Sequence, residues 1–138
     1  MRFLLDTAVL VYAVGDAEHP LAAPASAVIA RAAASPGLMT TTPEVIQEFL
    51  HVRSRRRTRI DAVNFARAFA EVLAPLVEVN ADDVHLGMEL YLEHSKLGAF
   101  DAMLAGVAAN RSDVELVSPD RAFQDVDGLV VRDLASFE

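Results

Sequence analysis

Short apolar runs alternate along this chain with longer segments in which apolar residues recur at helical spacing. The apolar runs are candidate buried strands, and they lie at 2–5, 38–41, 76–79, 114–117 and 129–131. The helical segments cover 20–34, a stretch from 42 into an arginine-rich segment, 61–74, 82–92 and 100–109. This alternation is typical of a parallel sheet covered by helices on both faces. We therefore predict an α/β fold, a three-layer α/β/α sandwich around a short, mostly parallel sheet.

No repeat, low-complexity tract or linker interrupts the alternation, and 138 residues suit one domain. Apolar residues make up 53% of the chain, enough for a stable core. The absence of cysteine excludes disulfides and thiolate metal sites. Asp6 interrupts the apolar start of the chain, and no apolar run approaches the ~20 residues that cross a bilayer. We expect a single cytoplasmic domain over 1–138 with no membrane association.

Four acidic residues lie at the ends of these predicted elements. Asp6 directly follows the first strand, and Asp120 follows the strand 114–117 after two linking residues. Because the carboxyl ends of parallel strands lie at one edge of a sheet, we expect these two acids to be neighbours. Glu48 lies about one turn inside the helix that begins at Thr42, and Asp101 opens the helix after a glycine-containing loop. We predict that all four converge.

Such a cluster would need a cation, because carboxylates held together repel one another. Ligation by oxygen alone suits Mg²⁺ or Mn²⁺. Two such ions ~3.5–4 Å apart activate water and stabilise the leaving oxygen of a phosphodiester. This chemistry requires no Ser, Cys or His nucleophile, and the sequence contains no convincing constellation of that kind.

Each acid taken alone also has an ordinary structural explanation. Asp6 and Asp101 could cap helices, Glu48 could be a solvated helical acid, and Asp120 in Ser-Pro-Asp-Arg could form a turn. Glu44 is one turn before Glu48 and competes with it, although an acid at a helix start has a role of its own there. The residue pattern by itself therefore leaves the site open.

The order and local contexts of the four acids resemble those of PIN domains. The matching strings are FLLDTAVLVYA, TTPEVIQEFLHV, LGAFDAMLAGVA and LVSPDRAFQDVDGLVV, which together span nearly the whole chain. They are most similar to the toxin subunits of VapBC toxin–antitoxin pairs. The resemblance assigns catalysis and metal binding to Asp6, Glu48, Asp101 and Asp120. It gives supporting roles to Thr7 and Ser118, and it favours Glu48 over Glu44 through the context QEFLHV.

The resemblance implies a Mg²⁺- or Mn²⁺-dependent endoribonuclease with a PIN-like fold, usually dimeric. Its cognate antitoxin would occupy the active-site groove, and its substrates would be structured RNAs, often tRNA or ribosomal RNA. A PIN-domain RNA-processing nuclease without a toxin role is an alternative, as is a non-catalytic α/β binding module. A receiver domain would need an acidic pair after the first strand. A haloacid-dehalogenase phosphatase would need D-x-D, but residue 8 is Ala.

The net charge of −8 argues against a uniformly RNA-binding surface. Five of the twelve basic residues nevertheless fall within seven positions, about one turn after Glu48, and we predict RNA-backbone contacts for Arg53, Arg55, Arg56, Arg57 and Arg59. A solvated helix end and an antitoxin-binding surface are the alternatives. We expect surface positions for His51, Asp125 and Asp127, and core or dimer contacts rather than base stacking for Phe65, Phe69 and Phe100.

Overall fold

A parallel sheet of four strands, in the order β2-β1-β3-β4, forms the centre of the computed structural model, which describes residues 1–137. The strands are β1 (Arg2–Leu5), β2 (Met39–Thr40), β3 (Val114–Ser118) and β4 (Val131–Asp133). The α-helices of the described part are α1 (Thr7–Ala13), α2 (Ala22–Ala34), α3 (Pro43–Ser54), α4 (Arg59–Val72), α5 (Ala81–Glu93) and α6 (Ala99–Ala109). Short 3₁₀ helices at Arg121–Asp125 and Leu134–Ser136 flank β4.

Both faces of the central strands are covered. All five residues of β3 are buried, as are three of the four in β1. Because successive side chains of a strand point to opposite faces, burial of consecutive residues requires helices on both sides. The predicted α/β sandwich is thus confirmed. Glu138, the last residue of the domain predicted over 1–138, lies outside the described residues. None of the helices within 1–137 combines the length and apolar character that crossing a bilayer demands.

The segment 76–79, predicted as a strand, is not one. Val77 N–H donates to the carbonyl of Thr41 at 2.9 Å, but no ladder continues from this bond. The neighbouring Pro75 carbonyl is instead taken by the side chains of Arg2 at 2.7 Å and Thr40 at 2.9 Å. The last strand also differs from the prediction, since it covers Val131–Asp133 rather than 129–131.

Helix α1 was not predicted at all. Apart from Thr7, its sequence TAVLVYA is a continuous apolar run, so it carries no helical period that distinguishes it from a buried strand. Val9 and Leu10 are buried, and the helix packs against α2 and α3. The tertiary environment, rather than a sequence period, therefore identifies this segment as a helix.

Capping residues set where the other helices begin. Thr42 caps α3 by accepting from Val45 N–H at 3.1 Å, as its Thr-Pro-Glu start predicts. Thr58 caps α4 in the same way and moves its start two residues ahead of the prediction. Gly98 caps α6, so Asp101 lies in the first turn of that helix. The alternative in which Asp101 is a helix cap is therefore wrong.

Two glycines allow α5 and α6 to touch backbone to backbone. A Cβ atom added to Gly106 would lie 2.6 Å from the carbonyl oxygen of Asp83 and 2.9 Å from the nitrogen of Gly87. Real Cβ atoms essentially never approach that closely, and the neighbouring atoms are backbone, which cannot rotate away. Helix α6, which carries Asp101, is therefore held tightly against α5.

A buried ion pair joins the ends of the same two helices. The fully buried carboxylate of Asp83 accepts from the Arg111 guanidinium at 2.9 and 3.0 Å and from the Asn110 amide at 2.9 Å. The N–H of Asn80 completes a capping box with the same carboxylate. Burial alone would raise the pKa of Asp83, but these hydrogen bonds outweigh it and hold the pKa below its usual value. This buried acid is thus fully satisfied by the protein.

We predict that Gly106→Ala destabilises the fold by about 1–3 kcal/mol, because the added methyl forces α5 and α6 apart. The control is Gly98→Ala, whose added methyl meets no atom within 4 Å, and we expect a change within ~0.5 kcal/mol. Chemical denaturation of both variants measures the effect. Equal stabilities for the two variants would contradict the backbone contact.

Candidate active site at the carboxyl ends of the strands

The pairing of β1 with β3 brings the first and last acidic motifs together. Leu5 pairs with Val117, and the next amide, Asp6 N–H, donates to the Val117 carbonyl at 3.1 Å. The buried hydroxyl of Ser118 then donates to Asp6 Oδ2 at 2.7 Å and accepts from Asp120 N–H at 3.0 Å. One hydroxyl thus joins both acids, which extends the predicted supporting role of Ser118 from Asp120 to Asp6.

Thr7 links the first acidic motif to the second. Asp6 precedes α1 without capping it through its side chain, so the carboxylate is not used in that role. The Thr7 hydroxyl donates a short hydrogen bond to Glu48 Oε1 and so connects α1 with α3. The predicted supporting residue Thr7 therefore contacts Glu48 through its hydroxyl and Asp6 through its backbone N–H.

Of the two competing glutamates, Glu48 faces the other acids. Its charge acts on both Asp6 and Asp101, and it lines the same cleft as they do. Glu44 is exposed, does not line that cleft and contributes to neither shift. Glu44 instead lies at the rim of a neighbouring pocket. The structure therefore groups Glu48, not Glu44, with the aspartates.

All four predicted acids line one cleft of about 540 Å³. Asp120 contributes while its Oδ1 also accepts from Ala122 N–H at 2.9 Å, so its turn-forming role coexists with its place in the cleft. The side-chain carboxylate of Asp101 accepts no hydrogen bond from any residue of the described chain. The cleft also contains Tyr12 and Arg56, neither of which was singled out as part of the acidic site. Tyr12 stacks on His19 with ring centroids 4.4 Å apart.

The acids in the cleft are poorly compensated, in contrast to Asp83. Burial raises the pKa of Asp6 to about 6, and the charges of Glu48 and Asp120 add to this effect against hydrogen bonds from Ser118 and Thr7 N–H. Burial also raises the pKa of Asp101 to about 7, with further contributions from the charges of Asp6, Asp120 and Glu48. No arginine or lysine in the described residues offsets these two carboxylates as Arg111 offsets Asp83. The cleft therefore favours a bound cation.

The chemistry of this donor set fits a hard divalent ion. It consists of carboxylate oxygens, the ligands that Mg²⁺ and Mn²⁺ prefer. His51 is exposed and lines a different pocket, as expected. Among residues 1–137, no three Asp, Glu, His or Cys side chains are already grouped closely enough to hold one ion. Binding of one ion by three of the carboxylates would therefore involve rotation of their side chains.

The five clustered arginines divide into different environments. Arg53 is only 12% exposed: it binds Asp61 at 2.6 Å, donates to the Val14 carbonyl at 2.8 Å and lies over the Phe65 ring. Arg53 therefore has a structural role, and its predicted RNA contact stays a prediction. Arg56 lines the acidic cleft, whereas Arg59 lines the pocket that contains His51. Arg55 and Arg57 are exposed.

The remaining surface predictions have mixed outcomes. Asp125 and Asp127 are exposed and do not line the cleft, as expected. Phe69 is buried and packs edge-on against Phe49, so its assignment to the core is confirmed. Phe100 is 73% exposed, so it does not belong to the core, and a dimer contact at this residue stays a prediction. It lies in the first turn of α6 and lines a pocket beside the acidic cleft.

Comparison with known proteins places this site in a family context. The sequence model of the PIN domain matches residues 3–129. Over 131 residues the chain is 44% identical to Ribonuclease VapC7 of Mycobacterium tuberculosis, with 92% of this chain and 88% of that protein covered. The fold is similar to that in VapBC2 of Rickettsia felis bound to a promoter DNA fragment, with TM-score 0.75, 17% identity and 96% and 98% of the two chains covered. DNA-bound VapBC of Salmonella typhimurium gives TM-score 0.74 and 16% identity, with 97% and 98% covered.

We predict that Asp101→Asn raises the melting temperature of the metal-free protein at pH 8 by several degrees. Burial raises the pKa of Asp101 in the folded protein to about 7, above its ordinary value of 3.8. Between these two pKa values, the folded protein keeps a proton on Asp101 that the unfolded chain has lost. The stability of the fold therefore falls as the pH rises from about 4 through about 7. The gain from Asn should vanish near pH 4. Thermal melts in EDTA across this range measure it.

Asp61→Asn is the control, because we expect it to change the melting temperature at pH 8 in the opposite direction. A hydrogen bond from Arg53 lowers the pKa of Asp61, so this acid stabilises the fold above its unfolded pKa and the contribution is lost on acidification. Asp61→Asn should therefore lower the melting temperature at pH 8. If Asp101→Asn also lowered it at pH 8 in EDTA, the Asp101 carboxylate would not be under electrostatic strain.

Proposed function

Because this chain belongs to the PIN-domain family and gathers four acids in one cleft, we propose that it is a metal-dependent endoribonuclease, the toxin component of a type II toxin–antitoxin system. The observation that carries this proposal is the cleft itself, where the buried Asp6 and the half-buried Asp101 lie next to like charges, and no arginine or lysine within residues 1–137 forms an ion pair with either of them. The identity of 44% to a protein named a ribonuclease supports the same activity.

The catalytic groups in this proposal are Asp6, Glu48, Asp101 and Asp120, which would hold Mg²⁺ or Mn²⁺. When bound, such ions supply a water of lowered pKa and stabilise charge on the leaving oxygen of the phosphodiester. The protein's own contribution is to position the carboxylates: Ser118 fixes Asp6 and the Asp120 backbone, and Thr7 fixes Glu48. Because the Thr7 hydroxyl already donates to Glu48, it is not free to attack phosphorus.

Arg56 is the arginine of the cluster that best fits an RNA-binding role. It lines the acidic cleft, and together with Arg57 it also lines the adjoining pocket. A phosphodiester approaching four acids in a protein of net charge −8 needs a positive group beside them. Arginine supplies it in a fork that matches the phosphate oxygens. Arg55 and Arg57 would contact phosphates further along the RNA.

The toxin role and the partners rest on the relatives. The similar solved structures are VapBC complexes, and we propose that this chain likewise binds a cognate antitoxin that covers its cleft. We propose tRNA or ribosomal RNA as substrate, a cytoplasmic location and a homodimer. Exposed apolar residues on α5, namely Met88, Tyr91 and Leu92, offer contacts for the dimer. An RNA-processing PIN nuclease without a toxin role is the second candidate.

We predict that the antitoxin-free protein cleaves RNA with Mg²⁺ or Mn²⁺ and not in EDTA. Asp6→Asn should reduce the rate at least ~100-fold, because a metal supplies several kcal/mol of transition-state stabilisation. Asp127→Asn, an exposed acid outside the cleft, is the matched control and should retain activity. Gel assays on total RNA measure cleavage, and full activity in EDTA would exclude the metal mechanism.

Growth after induction separates the two candidate roles. The wild-type chain expressed without antitoxin should arrest growth, and Asp6→Asn should not. If RNA is cleaved in vitro but neither chain affects growth, the processing nuclease replaces the toxin.

We predict that Arg56→Ala weakens RNA binding about tenfold and reduces the slope of log K against log salt by ~0.7, the value for one phosphate contact on a single strand. Arg59→Ala, a change of the same kind outside the acidic cleft, should have a smaller effect on both quantities. Fluorescence anisotropy with a labelled single-stranded RNA, in EDTA to prevent cleavage, measures affinity and slope. Identical salt slopes for Arg56→Ala and the wild type would remove Arg56 from the RNA path.

A further inference from the structure

A second pocket, of about 260 Å³, opens directly beside the acidic cleft. The two share the side chains of Asp6, Thr7, Glu48 and Asp101. The rest of the pocket wall is mainly apolar and comes from α3, α5, α6 and the segment before α5: Val45, Val79, Val84, Met103, Leu104 and Val107. A group seated in this pocket is therefore an immediate neighbour of a phosphate held at the acids.

This arrangement leads to an inference that rests on the ribonuclease function proposed above. We propose that the pocket receives the unstacked base next to the scissile phosphate and selects a base that presents paired N–H donors, guanine above all. The two residues that carry the selection are Phe100 and Glu44, both at the pocket.

Phe100 supplies the stacking surface. It directly precedes Asp101, yet 73% of its surface is exposed, and it has no ring partner among the described residues. An exposed aromatic ring loses the favourable free energy of burial, which a stacked base restores. Proteins that read single-stranded RNA stack splayed-out bases on aromatic side chains in this way. The ring next to a candidate catalytic acid is thus placed for the base adjoining the cleaved bond.

In this proposal, Glu44 distinguishes guanine from the other bases. It is exposed in the first turn of α3, and no group of the described chain donates a hydrogen bond to its carboxylate. A carboxylate only accepts, and its two oxygens match the adjacent N1–H and N2–H donors of guanine. Adenine and cytosine offer one amino group each. Uracil offers one N–H flanked by carbonyl oxygens that repel the carboxylate. The two hydroxyl groups of the pocket are engaged, since Thr7 donates to Glu48 and Thr42 accepts from Val45 N–H. The other carboxylates of the pocket, those of Asp6, Glu48 and Asp101, are the ones proposed above to hold the metal ion.

An apolar side chain of a protein partner fits this pocket less well. It would cover the apolar wall, but it would leave the Glu44 carboxylate desolvated and unpaired, which is unfavourable. A neutral base covers the apolar wall and also donates hydrogen bonds to the Glu44 carboxylate. It also adds no negative charge beside Asp6, Glu48 and Asp101.

The first test uses RNA oligomers that differ only in one base next to a single cleavable bond. The wild type should favour guanine by about tenfold or more, the discrimination typical of a bidentate pair. Glu44→Gln should bring the ratio of kcat/KM on the guanine oligomer to kcat/KM on the uracil oligomer close to one, because the amide removes both the guanine pairing and the repulsion of the uracil carbonyl oxygens. Phe100→Ala should lower kcat/KM on all oligomers about tenfold. Glu89→Gln and Val130→Ala are surface controls outside both cavities, and thermal melts verify folding.

The second test does not depend on cleavage. Guanosine 5′-monophosphate is titrated into the metal-free protein, and NMR follows the methyl groups of Val45, Leu104 and Val107. These signals should shift with guanosine monophosphate more than with uridine monophosphate, and less in Phe100→Ala. Shifts without RNA cleavage would support the base pocket and contradict the nuclease.

Other outcomes overturn the inference. Cleavage with an unchanged base preference in Glu44→Gln would show that Glu44 does not select the base. If Phe100→Ala and Glu44→Gln weaken binding of the cognate antitoxin but change neither cleavage nor the nucleotide shifts, the pocket holds a protein side chain instead.

Discussion

The parallel pairing of β1 with β3 positions most of the site. Because Leu5 pairs with Val117, both strands end at the same level, and Asp6 meets Ser118 across the sheet edge. A shift of one residue in this pairing would turn Ser118 toward the opposite face. Asp6 would then lose its hydrogen-bond donor, and Asp120 would lose the hydroxyl that accepts from its N–H. Glu48 from α3 and Asp101 from α6 line the cleft at the carboxyl ends of these two strands.

The part of the site that the sequence predicts is the part that strand ends and helix caps determine. Apolar strands followed by an acid identify Asp6 and Asp120, and the Thr-Pro-Glu start places Glu48 one turn into α3. Helix α1 escaped prediction because a fully apolar segment has the same pattern as a buried strand. The ion pair of Arg53 and the exposure of Phe100 were not predicted for another reason: their surroundings come from α4 and from the pocket beside the acidic cleft, which no local pattern encodes.

Burial of an acid does not by itself indicate function in this protein. Asp83 and Asp6 are both buried, yet a guanidinium and an amide satisfy Asp83, whereas Asp6 receives a hydroxyl and faces other carboxylates. Burial acts to raise the pKa of both acids, but the hydrogen bonds and charge of the Arg111 and Asn110 side chains lower the pKa of Asp83 below its usual value, whereas the pKa of Asp6 stays raised. Sequence alone does not separate them, since Arg111 is 28 residues from Asp83. The contrast distinguishes an acid that stabilises the fold from acids that we propose to bind a metal ion.

The glycine contact between α5 and α6 fixes the backbone beneath one half of the site. Asp101, Phe100 and Met103 share one helix, whose backbone touches that of α5, so the backbones of these residues keep their places relative to Val84 across the pocket. On the other side of the cleft, hydrogen bonds from Ser118 and Thr7 hold the side chains of Asp6 and Glu48. Among these three acids, the side chain of Asp101 is the one that no hydrogen bond from residues 1–137 restrains. The wall against which a base would rest is fixed when the chain folds.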